Sequence, residues 1–223
     1  MSETHLPTSR RGFWALIITQ FQAAFNDHSF KNLLLLVALQ AASSIEQKQL
    51  WSSLIPAVLI VPVLLFAMHG GFLADRYSKR SVILGTKAAE ILIMAAAAVS
   101  FVQGNLWLSI SILFLMGTQA AYFGPSKYGI LPEILPEKHL SWANGIMELT
   151  TFMAIILGTW AGSQMLRSYP DSLQTPLYFL VALSVIGLII AYFIEPVPAV
   201  APEKPLQINF LSDLAANWRI SGQ

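Results

Sequence analysis

The sequence contains no cysteine and very little charge. Asp, Glu, Lys and Arg make up 11% of its 223 residues, whereas they make up about 25% of a soluble domain. Without cysteine the chain has no disulfide framework, no thiolate zinc site and no cysteine nucleophile. Its formal net charge of +1 gives no electrostatic attraction to nucleic acid, so we expect no nucleic-acid partner.

The sequence also lacks three motifs of hydrolytic enzymes. It contains no G-x-x-x-x-G-K-[ST] loop, so direct ATP hydrolysis is not expected. It contains neither H-E-x-x-H nor G-x-S-x-G, the patterns of zinc proteases and serine hydrolases. We therefore expect no enzymatic activity, no bound metal and no cofactor.

Long hydrophobic runs dominate what is present, since 55% of the residues are hydrophobic. A membrane-spanning helix needs about 20 mostly apolar residues. Six segments meet this requirement, which predicts an all-α membrane protein with six transmembrane helices. They run from about Gly12 to Leu39, Trp51 to Ala74, Ser81 to Val102, Leu106 to Tyr128, Leu140 to Leu166 and Pro176 to Ile194.

The six spans divide the chain into three parts. Residues 1–11 form an N-terminal tail, residues 12–195 the bundle, and residues 196–223 a proline-rich linker in which 210–218 has the spacing of a short amphipathic helix. Basic residues are concentrated on the side of the N-terminus, so the positive-inside rule predicts that both termini are cytoplasmic. That side holds Arg10, Arg11, Arg76, Lys79, Arg80, Lys138, Lys204 and Arg219, against Lys48 and Arg167 on the other.

The connection between the second and third spans is densely charged. Gly71–Arg80 reads G-F-L-A-D-R-Y-S-K-R and holds four charged residues between two apolar runs. Each charge at the centre of a bilayer costs about 3 kcal/mol, so we predict a tight cytoplasmic loop. The pair Gly70–Gly71 is expected to allow close approach to a neighbouring helix. The same is expected of Gly158–Gly162, G-T-W-A-G, in the fifth span.

The first span has a polar middle. Gln20, Asp27 and Lys31 fall within about 60° of one another on a helix. Asp27 sits near mid-depth of the span, and an ionisable residue there is a functional candidate. Asp27 and Lys31 are expected to neutralise each other as an i, i+4 pair, and a purely structural ion pair is the alternative. We predict that Asp27, Lys31 and the adjacent Asn26 bind substrate.

Three further substrate-binding candidates lie in the fourth and fifth spans. They are Gln119 and Lys127 in the fourth and Glu148 in the fifth. Lys127 is expected at the cytoplasmic boundary, where it binds an anionic head group or simply anchors the helix. Glu148 is predicted to be a buried carboxylate whose partner is Lys127 or Lys87. In the third span, Lys87 and Glu90 are predicted to form a structural pair.

The stretch Gly71–Arg80 resembles the G-x-L-A-D-R-x-G-R-[KR] signature of the major facilitator superfamily, with Ser78 in place of the second glycine. This resemblance implies that the chain is the N-terminal, six-helix half of a major facilitator fold. It also implies that the stretch takes part in conformational gating. The gating residues would be Gly71, Asp75, Arg76, Lys79 and Arg80.

Two further stretches are similar to the lysophospholipid transporter branch of that superfamily. They are Phe25–Asn32, and Phe123–Glu133 followed by Asn144–Gly145 and Glu148. This similarity implies a carrier that moves lysophosphatidylethanolamine and lysophosphatidylglycerol across the bacterial inner membrane. The implied partners are the lysophospholipid, membrane lipids, a C-terminal six-helix bundle, and an acyltransferase or acyl-carrier-protein ligase.

Two alternatives remain open. The signature is shared throughout the superfamily, so the solute is alternatively a sugar or amino acid. The chain is alternatively a membrane anchor or subunit for a lipid acyltransferase. The polar first span favours a transporter, because an anchor has no use for Asp27 and Lys31.

Overall fold

The computed structural model describes residues 10–203, which contain helices and their connections and no strand. A four-residue helix, α5 (Leu131–Ile134), and a 3₁₀ turn at Glu137–His139 join α4 (Leu106–Gly129) to α6 (Leu140–Ser168). The tail before Arg10 and the amphipathic segment predicted at 210–218 lie outside the described residues. The six long helices are α1 (Arg10–Ala41), α2 (Ile45–Arg76), α3 (Lys79–Val102), α4 (Leu106–Gly129), α6 (Leu140–Ser168) and α7 (Gln174–Ala191).

Each predicted span is therefore present as one continuous helix. Within residues 10–203, α2, α3, α4, α6 and α7 are long and apolar enough to cross a membrane by length and composition, and α1 is not among them. With 32 residues, α1 is about 48 Å long, more than the roughly 30 Å of bilayer hydrocarbon. α1 is less apolar than the other five long helices because its middle turns carry polar side chains. Most of these side chains are buried among the other helices.

Capping residues explain where two of the helices begin. α2 begins at Ile45 rather than near Trp51, because the Ser44 hydroxyl accepts a hydrogen bond from the Gln47 amide at 3.2 Å. A search for apolar runs does not detect this first turn, because its residues are polar. The predicted link between the third and fourth spans is confirmed: Gly104 has a φ of +61°, and the Asn105 side chain caps α4.

Small residues set the closest helix contacts. α6 packs on α1 through the predicted G-x-x-x-G, since a Cβ on Gly158 would lie 2.6 Å from the Phe25 carbonyl oxygen. A Cβ on Gly162 would similarly lie 2.5 Å from the Ser29 carbonyl oxygen. Gly70 brings α2 against the backbone of α4, as expected. Gly71 does not, because a Cβ there would meet open space.

The predicted tight loop is shorter than the interval that the second and third predicted spans left between Ala74 and Ser81. α2 continues through Arg76 and α3 begins at Lys79, so only Tyr77 and Ser78 lie outside the helices. The charged side chains do not require a loop, because they lie at helix ends where partners are available. Lys79, for example, forms an ion pair with Glu133 of α5.

The segment after α7 folds back under the same end of the bundle. Val197 is buried in an apolar cluster with Ile83 and Ile134, and the Ala201 amide donates to the Asp75 carbonyl oxygen at 2.9 Å. The start of the proline-rich linker is therefore docked against the bundle. It runs from α7 toward the α2–α3 connection.

The buried interior consists of two apolar clusters. One lies at the end of the bundle that holds the α2–α3 connection, and the other lies at the opposite end. A layer of polar side chains from α1, α3 and α7 separates them. The first cluster includes Phe13, Ile83, Ile130, Met147 and Ile194, and the second includes Phe30, Ile55, Met94, Leu113 and Leu180.

Candidate functional site

A polar strip joins α1, α4 and α6, and Gln20 of α1 is its centre. Gln20 is fully buried, and its amide nitrogen donates to Thr150 Oγ1 at 2.7 Å and to the Met147 carbonyl oxygen at 3.2 Å. Its Oε1 accepts from Thr151 Oγ1 at 2.8 Å and from Lys127 Nζ at 3.5 Å. Every polar atom of the Gln20 side chain therefore has a hydrogen-bond partner, and the bond to Oε1 positions Lys127 Nζ.

Lys127 is within electrostatic range of two carboxylates, although within residues 10–203 it forms a direct ion pair with neither. It interacts electrostatically with Glu148 of α6 and with Asp27 of α1. Its Nζ also lies 4.9 Å from the ring centre of Tyr128, whose hydroxyl donates to Glu148 Oε1 at 2.5 Å. Lys127 and Asp27 are half-buried and Glu148 is exposed, so one side of this cation is open to a ligand.

Two predictions about this strip need correction. Lys127 was expected at the membrane boundary, but its side chain turns inward to Gln20. Glu148 was expected to be buried, but it is exposed because it projects from α6 away from the packed side of the bundle. Of its two predicted partners, Lys127 interacts with it, and Tyr128 is its hydrogen-bond donor.

The predicted Asp27–Lys31 ion pair is also wrong. Lys79–Glu133 and Lys87–Glu90 form direct ion pairs, and Asp27–Lys31 does not. Lys31 Nζ lies 3.0 Å from His28 Nδ1, one turn away on the same helix, and its interaction with Asp27 is long-range. Asp27 lies within electrostatic range of Glu90 and Lys87 of α3 as well as of Lys127 and Lys31.

Gln119 lies apart from this strip. Its side chain is buried, and its amide nitrogen donates to the Thr86 carbonyl oxygen of α3 at 3.1 Å. The spacing along α4 explains the separation: Gln119 and Lys127 are eight residues apart, so they lie more than two turns from each other. Gln119 therefore joins α4 to α3 and does not approach Asp27 or Glu148.

The predicted Lys87–Glu90 pair is confirmed, at 2.5 Å, and it belongs to a larger network. Glu90 Oε1 accepts from Gln22 at 2.9 Å, from Asn26 at 3.3 Å and from Ser184 at 3.1 Å, while Lys87 also donates to Gln22. All five side chains are buried. This network, which unites α1, α3 and α7, was not visible in the sequence beyond its one ion pair.

Asn26, a predicted substrate ligand, belongs to this network. Its amide nitrogen donates to Ser184 Oγ at 2.8 Å and to the Leu180 carbonyl oxygen at 3.1 Å, as well as to Glu90. Asn26 and Asp27 are adjacent, and successive residues point about 100° apart on a helix. Asn26 therefore anchors α1 to α3 and α7, while Asp27 projects in a different direction from the helix.

The predicted gating residues bind the ends of neighbouring elements. Lys79 pairs with Glu133, which joins α3 to α5. Arg80 donates from Nε to the Ile194 carbonyl oxygen at 2.6 Å and from Nη2 to the Tyr192 carbonyl oxygen at 2.9 Å. Arg80 thus caps the end of α7, where carbonyl groups have no helical partner. The guanidinium of Arg76 lies 5.8 Å from the ring centre of Tyr77.

Comparison with known proteins places this bundle in a family. The Major Facilitator Superfamily profile matches residues 12–219. The lysophospholipid transporter LplT of Cronobacter sakazakii (strain ATCC BAA-894) is 34% identical over 156 residues, which cover 70% of this chain and 36% of that protein. Lysophospholipid transporter LplT of Escherichia coli (strain SE11) is 36% identical over 166 residues, covering 73% and 39% respectively. The chain thus spans less than two fifths of the length of these relatives.

A solved structure has a similar arrangement of helices. The crystal structure of a POT family transporter in complex with a thioalcohol-conjugated peptide matches with a TM-score of 0.65 and 17% identity. The match covers 94% of this chain and 44% of that one. At this identity the likeness concerns the fold alone. The profile match over residues 12–219 shows that the chain belongs to the Major Facilitator Superfamily.

Proposed function

We propose that this chain forms the N-terminal bundle of a carrier that moves a lysophospholipid across a membrane. The observation that carries the proposal is Lys127, held by Gln20 and within electrostatic range of Asp27 and Glu148 on an open face of the bundle. In a superfamily of transporters, a half-buried cation near two carboxylates is suited to a substrate that carries both charges. The name of the relatives, lysophospholipid transporter, supports this choice.

Each charged group of the proposed substrate has a counterpart in the strip. The phosphate of a lysophospholipid would bind Lys127 through a charge-assisted hydrogen bond. The ammonium of an ethanolamine head group would lie against Asp27 or Glu148. The single acyl chain would lie along the apolar side chains exposed on α6, including Phe152 and Ile156. A hexose has neither a phosphate nor an ammonium and would leave these charges unmatched.

The proposal includes a second bundle and an orientation. Alternating access requires two bundles that rock about a site between them, so the open face of α1, α4 and α6 would pack against a second six-helix bundle. The residues described here would not transport alone, unless two copies pair. We place the protein in the bacterial inner membrane with both termini cytoplasmic. There its product would be available to an acyltransferase or acyl-carrier-protein ligase.

Lysolipid binding by the purified protein in nanodiscs tests the site. The ligands are lysophosphatidylethanolamine, lysophosphatidylglycerol and glucose, and the variant is Lys127→Gln. A hydrogen bond to a charged group contributes about 1.5–3 kcal/mol, so we expect binding of both lysolipids to weaken by about tenfold or more. Lys138→Gln is the matched control, since Lys138 is exposed in the α5–α6 connection and touches no part of the strip.

Two results would count against the proposal. Glucose binding as tightly as the lysolipids would overturn the substrate class. Lys127→Gln binding lysolipid as well as Lys138→Gln would show that the strip is not the site, even if the substrate class is correct.

A further inference from the structure

We propose that the outer wall of the bundle carries a binding groove for one acyl chain of a phospholipid from the cytoplasmic leaflet. This groove, which we call the α2–α3 groove, is separate from the polar strip. It consists of two adjoining cavities, of about 420 Å³ and about 280 Å³, that share Gly85, Thr86 and Tyr122. Leu73 and Tyr77 border one end, and Ile93 borders the other.

The groove follows from how three helices pack. α2 and α3 are joined by only Tyr77 and Ser78, yet both pack mainly on α4 rather than on each other. They therefore diverge from their connection, and α4 forms the floor between them. Gly85 of α3 keeps the groove open, because a Cβ on this residue would meet no atom within 4 Å.

Thr86, Gln119 and Tyr122, three of the polar residues that border the groove, have hydrogen-bond partners within the protein. Thr86 Oγ1 donates to the Ile83 carbonyl oxygen at 2.9 Å, and Gln119 donates to the Thr86 carbonyl oxygen. The Tyr122 hydroxyl lies 2.9 Å from His69 Nδ1. The surface that lines the groove is almost entirely apolar, so it offers few hydrogen bonds to a polar ligand. Its ligand is therefore a hydrocarbon chain.

The length and the end of the groove indicate a lipid of one leaflet. From Ser81 to Ile93 the wall of α3 rises about 18 Å, close to half the roughly 30 Å of bilayer hydrocarbon. Its outer end lies at the charged α2–α3 connection, where Tyr77 is 49% exposed beside the guanidinium of Arg76. A phosphate at this level would meet a cation as the chain enters the groove, which favours a phospholipid over an uncharged apolar molecule.

Photocrosslinking in nanodiscs tests the proposal. The probe is phosphatidylglycerol with a diazirine near the middle of one acyl chain, and crosslinked peptides are mapped by mass spectrometry. We expect crosslinks to concentrate on residues 81–93 and 115–122. Gly85→Phe should fill the groove and lower this labelling severalfold. Gly145→Phe is the matched control, because Gly145 also faces open space, near the start of α6.

Labelling spread evenly over the lipid-facing helices, or unchanged in Gly85→Phe, would overturn the proposal. Should Gly85→Phe fail to elute as a folded protein, Gly85→Val gives the same test with a smaller side chain. An uncharged diacylglycerol probe of equal chain length distinguishes the lipid source. Arg76→Gln should reduce labelling by phosphatidylglycerol more than by diacylglycerol, and equal reduction would refute the role of the phosphate.

A separate variant tests whether a second copy of the protein, rather than a lipid, occupies the groove. The chain has no cysteine, so Gly85→Cys carries a single thiol. Under oxidising conditions in nanodiscs we expect it to remain monomeric. An efficient disulfide-linked dimer would mean that a second copy occupies the groove and would refute the lipid assignment.

Discussion

Breaking the buried Lys87–Glu90 pair should destabilise the bundle, whereas removing both of its charges should not. Glu90 accepts from three neutral donors on Oε1 and from Lys87 on Oε2. In Glu90→Gln the new amide has only one acceptor oxygen. Whichever way it is oriented, its NH₂ group faces a donor, either the Lys87 ammonium or the Gln22 and Asn26 amides. The buried ammonium also loses its counter-charge.

The size of this effect follows from burial. Lys87 is 0% exposed and Glu90 is 2% exposed, and removing one partner of a buried ion pair costs about 3–5 kcal/mol. For a domain of 150–250 residues, 3 kcal/mol corresponds to a fall in Tm of roughly 6–12 °C. The double variant Lys87→Met/Glu90→Gln leaves no buried charge and keeps similar volumes. Replacement of a whole buried pair is often neutral, so we expect its stability to lie within about 1 kcal/mol of the original.

Thermal unfolding in mild detergent, followed by size-exclusion chromatography, measures this difference. Glu148→Gln is the control, since it is the same substitution at an exposed carboxylate and should change stability by no more than about 0.5 kcal/mol. The reasoning is refuted if Glu90→Gln unfolds at the same temperature as Glu148→Gln. It is equally refuted if the double variant is as unstable as Glu90→Gln, because the uncompensated charge would then not be the cause.

Two other expectations concern packing and orientation. Gly162→Leu should lower the free energy of unfolding by about 1–3 kcal/mol, because its Cβ would lie 2.5 Å from the Ser29 carbonyl oxygen. Gly145→Leu, whose Cβ lies in open space, should unfold at the original temperature. Equal stability of both variants would contradict the close α1–α6 contact. In whole cells, an impermeant thiol reagent should label Asp171→Cys, and should label Lys138→Cys only after permeabilisation. The reverse pattern would invert the proposed topology.

The sequence predicted those features of the fold that depend on local patterns. Long apolar runs located all six helices, and the spacing of Gly158 and Gly162 identified a close contact. Features that depend on partners from distant parts of the chain were predicted less well. Lys31 and Asp27 are correctly spaced for an ion pair, yet Lys31 contacts His28, since side-chain conformation in the folded bundle decides between neighbours. The charged α2–α3 connection was predicted as a loop because Glu133, which pairs with Lys79, is remote in sequence.

The division of α1 into two polar faces connects these observations. One face, with Gln22 and Asn26, is bonded to Glu90 and thereby to α3 and α7. The other, with Gln20, contacts Lys127, and Asp27 is within electrostatic range of that lysine and of the Lys87–Glu90 pair. Because Asn26 and Asp27 are on the same helix, a rotation of α1 would move the carboxylate relative to Lys127. The network on the first face prevents that rotation, since it would break three hydrogen bonds of Asn26 at once. A residue that seemed from its position to be a substrate ligand therefore serves the proposed site by fixing the orientation of the helix.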